Sequence, residues 1–355
     1  MSPTRIIDPH VHYWDPRTTP RQISPLVKMF GRWPRLLDWA GRKATPTPLV
    51  DFVGDTRYVV APHLPATFSA DSGHHHVDGI VHVEAGWSSR GVLGPVGETQ
   101  WLDRLEEPPL AIIGHANLSD PAALERQLDA HSLASGRLRG IRDTVSAHPA
   151  PVVHTWTDPA RLSSDEFRNG YATLGERQLS FEMWCYSNQL LEVAALADAV
   201  PTTKTMLDHM GTPAGLAGPF GGVGETAADR DRIKKQWHEG LQAVAEHRNV
   251  HVKLSGLLMP ICGFAFHERP SPPSTSEVVD ALGPHILFGI ETFGAKRCML
   301  ASNFPMDKVS VSYETLYDAF IEIVANAGLS AAEQDALFAD NAAAFYRLVE
   351  EPKDE

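Results

Sequence analysis

The feature that most constrains this chain is an alternation of two periods. Short apolar runs that read as strands cover residues 6–12, 77–85, 110–116, 138–143, 179–186, 205–209, 250–255 and 298–303. Segments with helical spacing follow them, at 98–105, 121–134, 163–174, 189–199, 227–247, 274–283 and 313–327. Asp120 is placed to cap the helix that opens with Pro121, since a short acidic side chain accepts from the first free N–H groups. Eight strand–helix units in series close most simply as a parallel (β/α)8 TIM barrel, an α/β fold. A doubly wound open sheet is the rival, but it usually carries a glycine-rich turn after its first strand. Here a His-x-His stands at that point. The 355 residues would allow two domains, yet such barrels routinely exceed roughly 250 residues as one, so residues 1–355 are expected to form one domain. A final helical stretch at 330–348 is expected to pack outside the barrel.

The longest irregular segment, residues 15–76, directly follows the first strand. It is rich in proline (Pro16, Pro20, Pro25, Pro34, Pro46, Pro48, Pro62, Pro65) and carries Trp33, Trp39, Phe52 and Tyr58. Disordered segments are poor in aromatics, so this reads as an ordered insertion lying over the active face as a cap. A short helix is expected at Leu36-Leu37-Asp38-Trp39.

Composition excludes several classes of function. A net charge of −13 argues against nucleic acid, which requires clustered Lys and Arg. It does not argue against an anionic small molecule, because one local arginine outweighs a distant net charge. Cys185, Cys262 and Cys298 are far apart and form no CxxC, which disfavours a disulfide framework or a zinc ribbon. Neither a signal-peptide pattern nor an apolar run of membrane-span length is seen. A cytoplasmic enzyme acting on a small molecule, with no membrane or nucleic-acid partner, is the expectation; self-association as a homo-oligomer is compatible with it.

Chemistry concentrates at the strand ends. Strand side chains repeat with period two, so His10 and His12 project the same way from the end of the first strand. In a parallel barrel, active sites are built at that end. Two convergent neutral imidazoles are half of a metal site, or a pair of donors for a bound carbonyl. With 17 histidines in the chain a chance pair is not rare, so the other strand ends must support it. They carry Glu84, His115, Arg142, Trp184 with Tyr186, His209, Ser255, and Asn303 with Asp307. Taken alone, His115 reads as a hydrogen-bonded core histidine and Arg142 as the partner of a nearby carboxylate. Glu84 reads as a buried carboxylate whose pKa burial would raise toward a useful range for a general base. Asp307 reads as a more solvated residue, pairing with Lys308 or capping a helix.

Three motifs in register carry a resemblance: Ile7-Asp8-x-His10-x-His12-x-Trp14-Asp15, Asp208-His209-x-Gly211-x-Pro213, and Ala301-Ser302-Asn303-Phe304-Pro305. Together they resemble the amidohydrolase superfamily, and more closely its amidohydrolase-related, lactonase-like branch of TIM-barrel hydrolases. That branch includes sugar lactonases and the hydrolase of 2-pyrone-4,6-dicarboxylate. The resemblance implies that His10 and His12 bind one divalent ion, zinc or manganese, or hydrogen-bond substrate in a metal-free member. It implies that His209 polarises the scissile carbonyl and that Arg142 holds a substrate carboxylate. His115, Trp184 and Tyr186 are candidates to line the substrate site. Two departures stand out. The fifth strand ends in Trp184 and Tyr186 where two-metal members place a metal ligand, which argues against a binuclear site. The last strand carries Asn303 where an aspartate is usual, and an amide cannot act as a base. Glu84 or Asp307 is therefore expected to take the proton from water.

Hydrolysis of a small lactone, ester or similar carbonyl compound leads these expectations. The rivals are non-oxidative decarboxylation of an aromatic or unsaturated acid, and a catalytically inactive binding barrel. A dense polar face with several histidines argues against the last.

Overall fold

The structure is a computed structural model; it describes residues 3–348 apart from 32, 34–35, 37–38, 41–42 and 44–46. Eight parallel strands form one sheet in sequence order: β1 (Ile7–Val11), β2 (Gly79–Val83), β3 (Ala111–His115), β4 (Leu138–Arg142), β5 (Ser180–Met183), β6 (Thr205–Leu207), β7 (Val250–Leu254) and β8 (Cys298–Leu300). The sheet closes where Val11 bridges Phe304, with His12 N donating to Phe304 O at 2.9 Å. Buried Asp8 reinforces that seam by accepting from Ser302 N at 3.1 Å. The fold is a (β/α)8 TIM barrel.

The alternation along each strand sorts the side chains. Ile7, Val81, Val83, Ala111, Ile113, Met206 and Met299 form an interior cluster, while Val252, Phe181 and Ile141 belong to the core shared with the outer helices. The interior cluster also contains Ala339, Ala342, Phe345 and Tyr346. Within residues 330–348, helix Ala331–Asp335 buries no residue and Leu337 and Phe338 join the outer core, but the stretch around helix Asn341–Tyr346 does not pack outside the barrel as expected and closes its amino end.

Most outer helices fall where the spacing puts them. Asp120 accepts from Ala123 N at 3.0 Å ahead of helix Pro121–Ala134. The helix after β7 spans Thr275–Phe293, ten residues beyond the expected end, with Pro284 inside it. A proline costs a helix one hydrogen bond and a clash. Here the apolar stripe Val278, Leu282, Ile286, Ile290 and Phe293 is buried along the whole length, and that burial outweighs the local cost.

The segment after β1 divides in two. Phe52, in helix Thr47–Val53, packs on Trp156 and Trp184 with ring centroids at 5.9 and 5.7 Å, beyond β4 and β5. Gly54 lies against Pro260, His267 and Val309, beyond β7 and β8. Helix Pro65–Ser72 leaves that face. It stands in the outer layer against helix Tyr313–Ala325, with Phe68 and Tyr313 at 5.3 Å. Within the expected short helix, Leu36 and Trp39 are helical; Leu37 and Asp38 lie outside the described residues. Among the described residues no helix is long and apolar enough to cross a membrane.

Candidate active site

Three imidazoles meet at the carboxyl end of the barrel. His10 and His12 stand edge to face with ring centroids 4.9 Å apart, and His209 lies 4.4 Å from His10. The spacing of His10 and His12 holds despite a shift in strand pairing between Asp8 and Val11. His209 reaches the site differently: it and Met210 adopt positive φ, 54° and 52°, which turns the chain abruptly after β6.

Each ring is held by its Nδ1. His12 Nδ1 lies 2.7 Å from the Val83 carbonyl, which only accepts. The proton must therefore sit on Nδ1, and neutral His12 presents a lone pair at Nε2. This corrects the expectation of a donor pair: His12 can bind a metal or accept a proton, but cannot donate to a carbonyl while neutral. His209 Nδ1 is 2.9 Å from Ser255 Oγ, which serves as either donor or acceptor. His10 Nδ1 sits 3.2 Å from Asp208 Oδ1 and 3.2 Å from Lys253 Nζ, while its Nε2 is buried without a partner among the described residues. Burial, with the positive neighbours Lys253 and Arg142, outweighs Asp208 and lowers the His10 pKa to about 3. His12 and His209 are likewise pushed well below the usual histidine value, chiefly by burial. All three rings are neutral at pH 7.

Beneath the histidines lies a charge network that the sequence reading does not anticipate. Lys253 on β7 is fully buried; its ammonium bonds Glu182 on β5 and lies 3.1 Å from Asp208. Tyr346 donates to the other Glu182 oxygen at 2.6 Å. Two carboxylates around one ammonium are driven apart. Burial would raise Asp208, but Lys253 and His10 outweigh it and hold Asp208 well below the carboxylate range. Glu182 is raised by burial and by the neighbouring Asp208 charge. Among the described residues Asp208 Oδ2 remains buried with no hydrogen bond, 4.0 Å from Arg142 Nη1.

The expected bases behave otherwise than expected. Glu84 does not gain a raised pKa. Burial opposes its ionisation, but Arg142 and His115 outweigh it and hold it at about 2. Arg142 Nε donates to Glu84 Oε1 at 2.9 Å, Arg142 Nη2 donates to the Glu84 carbonyl, and Gly86 N donates to Oε2 at 3.0 Å. Asp307 is not solvated either: it is buried, accepts from Asn303 Nδ2 at 2.8 Å, and burial raises it to about 7. Lys308 pairs with Asp71 instead, at 2.5 Å. Asp307 lines a small cavity together with Ser255, Gly256, Leu282, Ile286 and Phe320.

Of the remaining candidates, His115 Nδ1 donates to the Arg142 carbonyl at 3.0 Å and stands near Glu84. Trp184 Nε1 donates to Thr212 Oγ1 at 3.1 Å in the loop after His209, and its ring meets Phe52 and Trp156. Tyr186 is buried and donates to the His154 carbonyl at 2.8 Å, so it supports this aromatic wall from behind.

Among the described residues, one buried set of candidate metal ligands has its atoms within 4.8 Å of one another: His10, Glu182 and Asp208. Lys253 Nζ contacts all three, so an ammonium already fills that position. The unpartnered His10 Nε2 and the fixed lone pair of His12 Nε2 fit one divalent ion on the opposite side.

The family model for amidohydrolases matches residues 7–348, and the chain belongs to that family. An uncharacterized protein, y4mH, of Sinorhizobium fredii is 29% identical over 98% of this chain and 100% of its own. An L-fucono-1,5-lactonase of Burkholderia multivorans is 27% identical over 76% of this chain and 84% of its own. Among solved structures, an amidohydrolase of Burkholderia multivorans with bound zinc superposes with a TM-score of 0.71, at 20% identity over 98% of this chain and 100% of that one. A 2,6-dihydroxybenzoate decarboxylase has the same fold, with a TM-score of 0.56 at 12% identity over 98% of this chain and 100% of that one.

Proposed function

We propose that this chain hydrolyses a small lactone or closely related cyclic ester. The lactonase relative supports the substrate class. The observation that carries the reaction is Asp208 Oδ2, a buried carboxylate oxygen without a hydrogen bond among the described residues, held 4.0 Å from the Arg142 guanidinium. Asp208 replaces Glu84 and Asp307 as the group that takes the proton from water. Lys253 and His10 keep it ionised, and its free oxygen is the one not committed to them. Arg142 spends Nε and Nη2 on Glu84, which leaves Nη1 directed at Asp208 to bind the developing oxyanion or a substrate carboxylate. If Ser255 donates to His209 Nδ1, His209 Nε2–H becomes a second donor to the carbonyl oxygen. One divalent ion on His10 Nε2 and His12 Nε2 would supply Lewis acidity at that same oxygen. Glu84 is a positioning residue, since it fixes the guanidinium. Helix Thr47–Val53, which lies over the loops after β4 and β5, acts as the part of the cap that selects substrate.

Decarboxylation is the second reading, because it needs no base. Asn303 stands where one is usual, and the Asp208 carboxylate is held at low pKa. The two are separated by offering purified protein a panel of sugar-acid lactones and hydroxybenzoates. Acid release is read with a pH indicator, and carbon dioxide by a coupled assay. Acid release lost in Asp208→Asn supports hydrolysis; carbon dioxide release that survives in Asp208→Asn overturns it.

A further inference from the structure

A second cluster of histidines lies far from the barrel mouth, where the chain leaves helix Pro65–Ser72 and runs toward β2. The sequence there is His74-His75-His76. His74 and His75 face the outer helix Tyr313–Ala325, and their rings stand 4.1 Å apart. His74 Nε2 and His75 Nε2 each lie 3.1 Å from the same atom, Asp318 Oδ1. Four residues earlier on that helix, and so on the same face, Glu314 Oε1 lies 2.9 Å from His74 Nδ1. His75 also rests on the Tyr317 ring at 5.9 Å, and its side chain is largely buried while that of His74 is exposed.

Three atoms gathered around one point at these separations have the shape of a coordination site. In tetrahedral zinc, ligand bonds of about 2.0–2.1 Å put neighbouring donor atoms about 3.3 Å apart. The two edges to Asp318 Oδ1, 3.1 Å each, need to open by only a few tenths of an ångström. Glu314 stands where a carboxylate behind a metal-bound histidine stands: accepting a hydrogen bond from His74 Nδ1–H, it would leave the Nε2 lone pair for the ion. The backbone is shaped for the same approach. Gly73 has φ +59°, a backbone conformation that L side chains rarely adopt, and glycine takes this turn without strain. An ion pair alone needs one imidazolium and one carboxylate. This arrangement brings two imidazole nitrogens onto one oxygen and orients one of those imidazoles with a further carboxylate.

We propose that His74 Nε2, His75 Nε2 and Asp318 Oδ1 bind a divalent transition metal ion of the zinc type, with Glu314 orienting His74. Water completes the fourth position on the exposed side. On binding, any proton on either Nε2 leaves to solvent or moves to Nδ1. Both Nε2 lone pairs then bond the ion, so binding weakens as pH falls. The ion would tie the turn before β2 to the helix after β8. These flank the seam at which the first and last strands meet. The proposal is independent of the reaction at the barrel mouth.

The test uses full-length protein stripped with a chelator, titrated with zinc by calorimetry and with cobalt by absorption spectroscopy at pH 7.5. The comparison variants are His74→Gln/Asp318→Asn and His10→Asn/His12→Asn. The first should lose one zinc equivalent and the tetrahedral cobalt bands, and the second should keep them. Glu314→Gln should weaken this equivalent about 10- to 100-fold. Circular dichroism confirms that each variant is folded; the surface substitutions sit outside the core. If His74→Gln/Asp318→Asn binds zinc with wild-type stoichiometry and affinity, the proposal is overturned. The same holds if the only zinc bound by the wild type disappears in His10→Asn/His12→Asn.

Discussion

Replacing Lys253 with methionine tests whether the buried ammonium holds the site together. The side chain is fully buried, and Glu182 and Asp208 both face it. Methionine fills a similar volume but leaves two carboxylates without their cation. Among the described residues Tyr346 then remains to donate to Glu182, and His10 Nδ1 to face Asp208. Removing one member of a buried charge pair typically costs about 3–5 kcal/mol, since the remaining charge stays desolvated. For a chain of this size, roughly 2 °C of Tm goes with each kcal/mol, so a fall of about 6–10 °C is expected. Glu182→Leu in the same background removes one stranded carboxylate. The double variant should be less destabilised than the two single changes added together, by about 0.5–3 kcal/mol. Thermal and urea unfolding at pH 8, followed by circular dichroism, measure both effects. Zinc and manganese are withheld, so that neither ion replaces the lost charge. A Tm within about 2 °C of wild type, or strictly additive variants, would refute the view that this ammonium neutralises the network.

Further expectations concern the other carboxylates. Asp307 has a folded pKa of about 7, above its ordinary 3.8. Between those values the unfolded chain has released the proton and the folded chain still holds it, so stability falls as pH rises and levels off above about 7. The full difference is about 4 kcal/mol. Asp307→Asn should remove that slope, and parallel urea midpoints for both proteins from pH 4 to 8 would refute it. On a lactone that the wild type hydrolyses, Asp208→Asn should lower kcat by about 10²–10⁴, the usual range for a general base. Glu84→Gln should lower it by less than about tenfold and chiefly raise KM, through a loosened Arg142. Equal losses in kcat from the two changes would mean that Glu84 takes part in proton transfer.

The barrel is legible in the sequence because each strand announces itself locally, by an apolar run and a following helical period. The convergence of His10 and His12 is legible for the same reason, being a matter of period two along one strand. The charge network is not. Glu182 stands between Phe181 and Met183, and Lys253 between Val252 and Leu254. A charged residue flanked by apolar neighbours on a strand does signal an inward polar position, and that signal marks both. Which strand-five carboxylate meets which strand-seven lysine depends on barrel closure, a long-range fact with no local trace. Glu84 shows the opposite failure. Its burial is foreseeable, but burial alone does not set the sign of a pKa shift when a guanidinium lies 2.9 Å away. Pro284 and the closing helix mislead because local breakers and exposed-looking periodicity yield to packing partners that the sequence does not name.

The bond from Tyr346 to Glu182 has a consequence for biosynthesis. Helix Asn341–Tyr346 follows all eight strands in the chain, so a ribosome makes every strand before it makes the residue that steadies Glu182. A partly made chain can already hold His10, Asp208 and Lys253, yet its central carboxylate lacks its second partner. The reactive centre is thus completed late, by one of the last described residues to emerge.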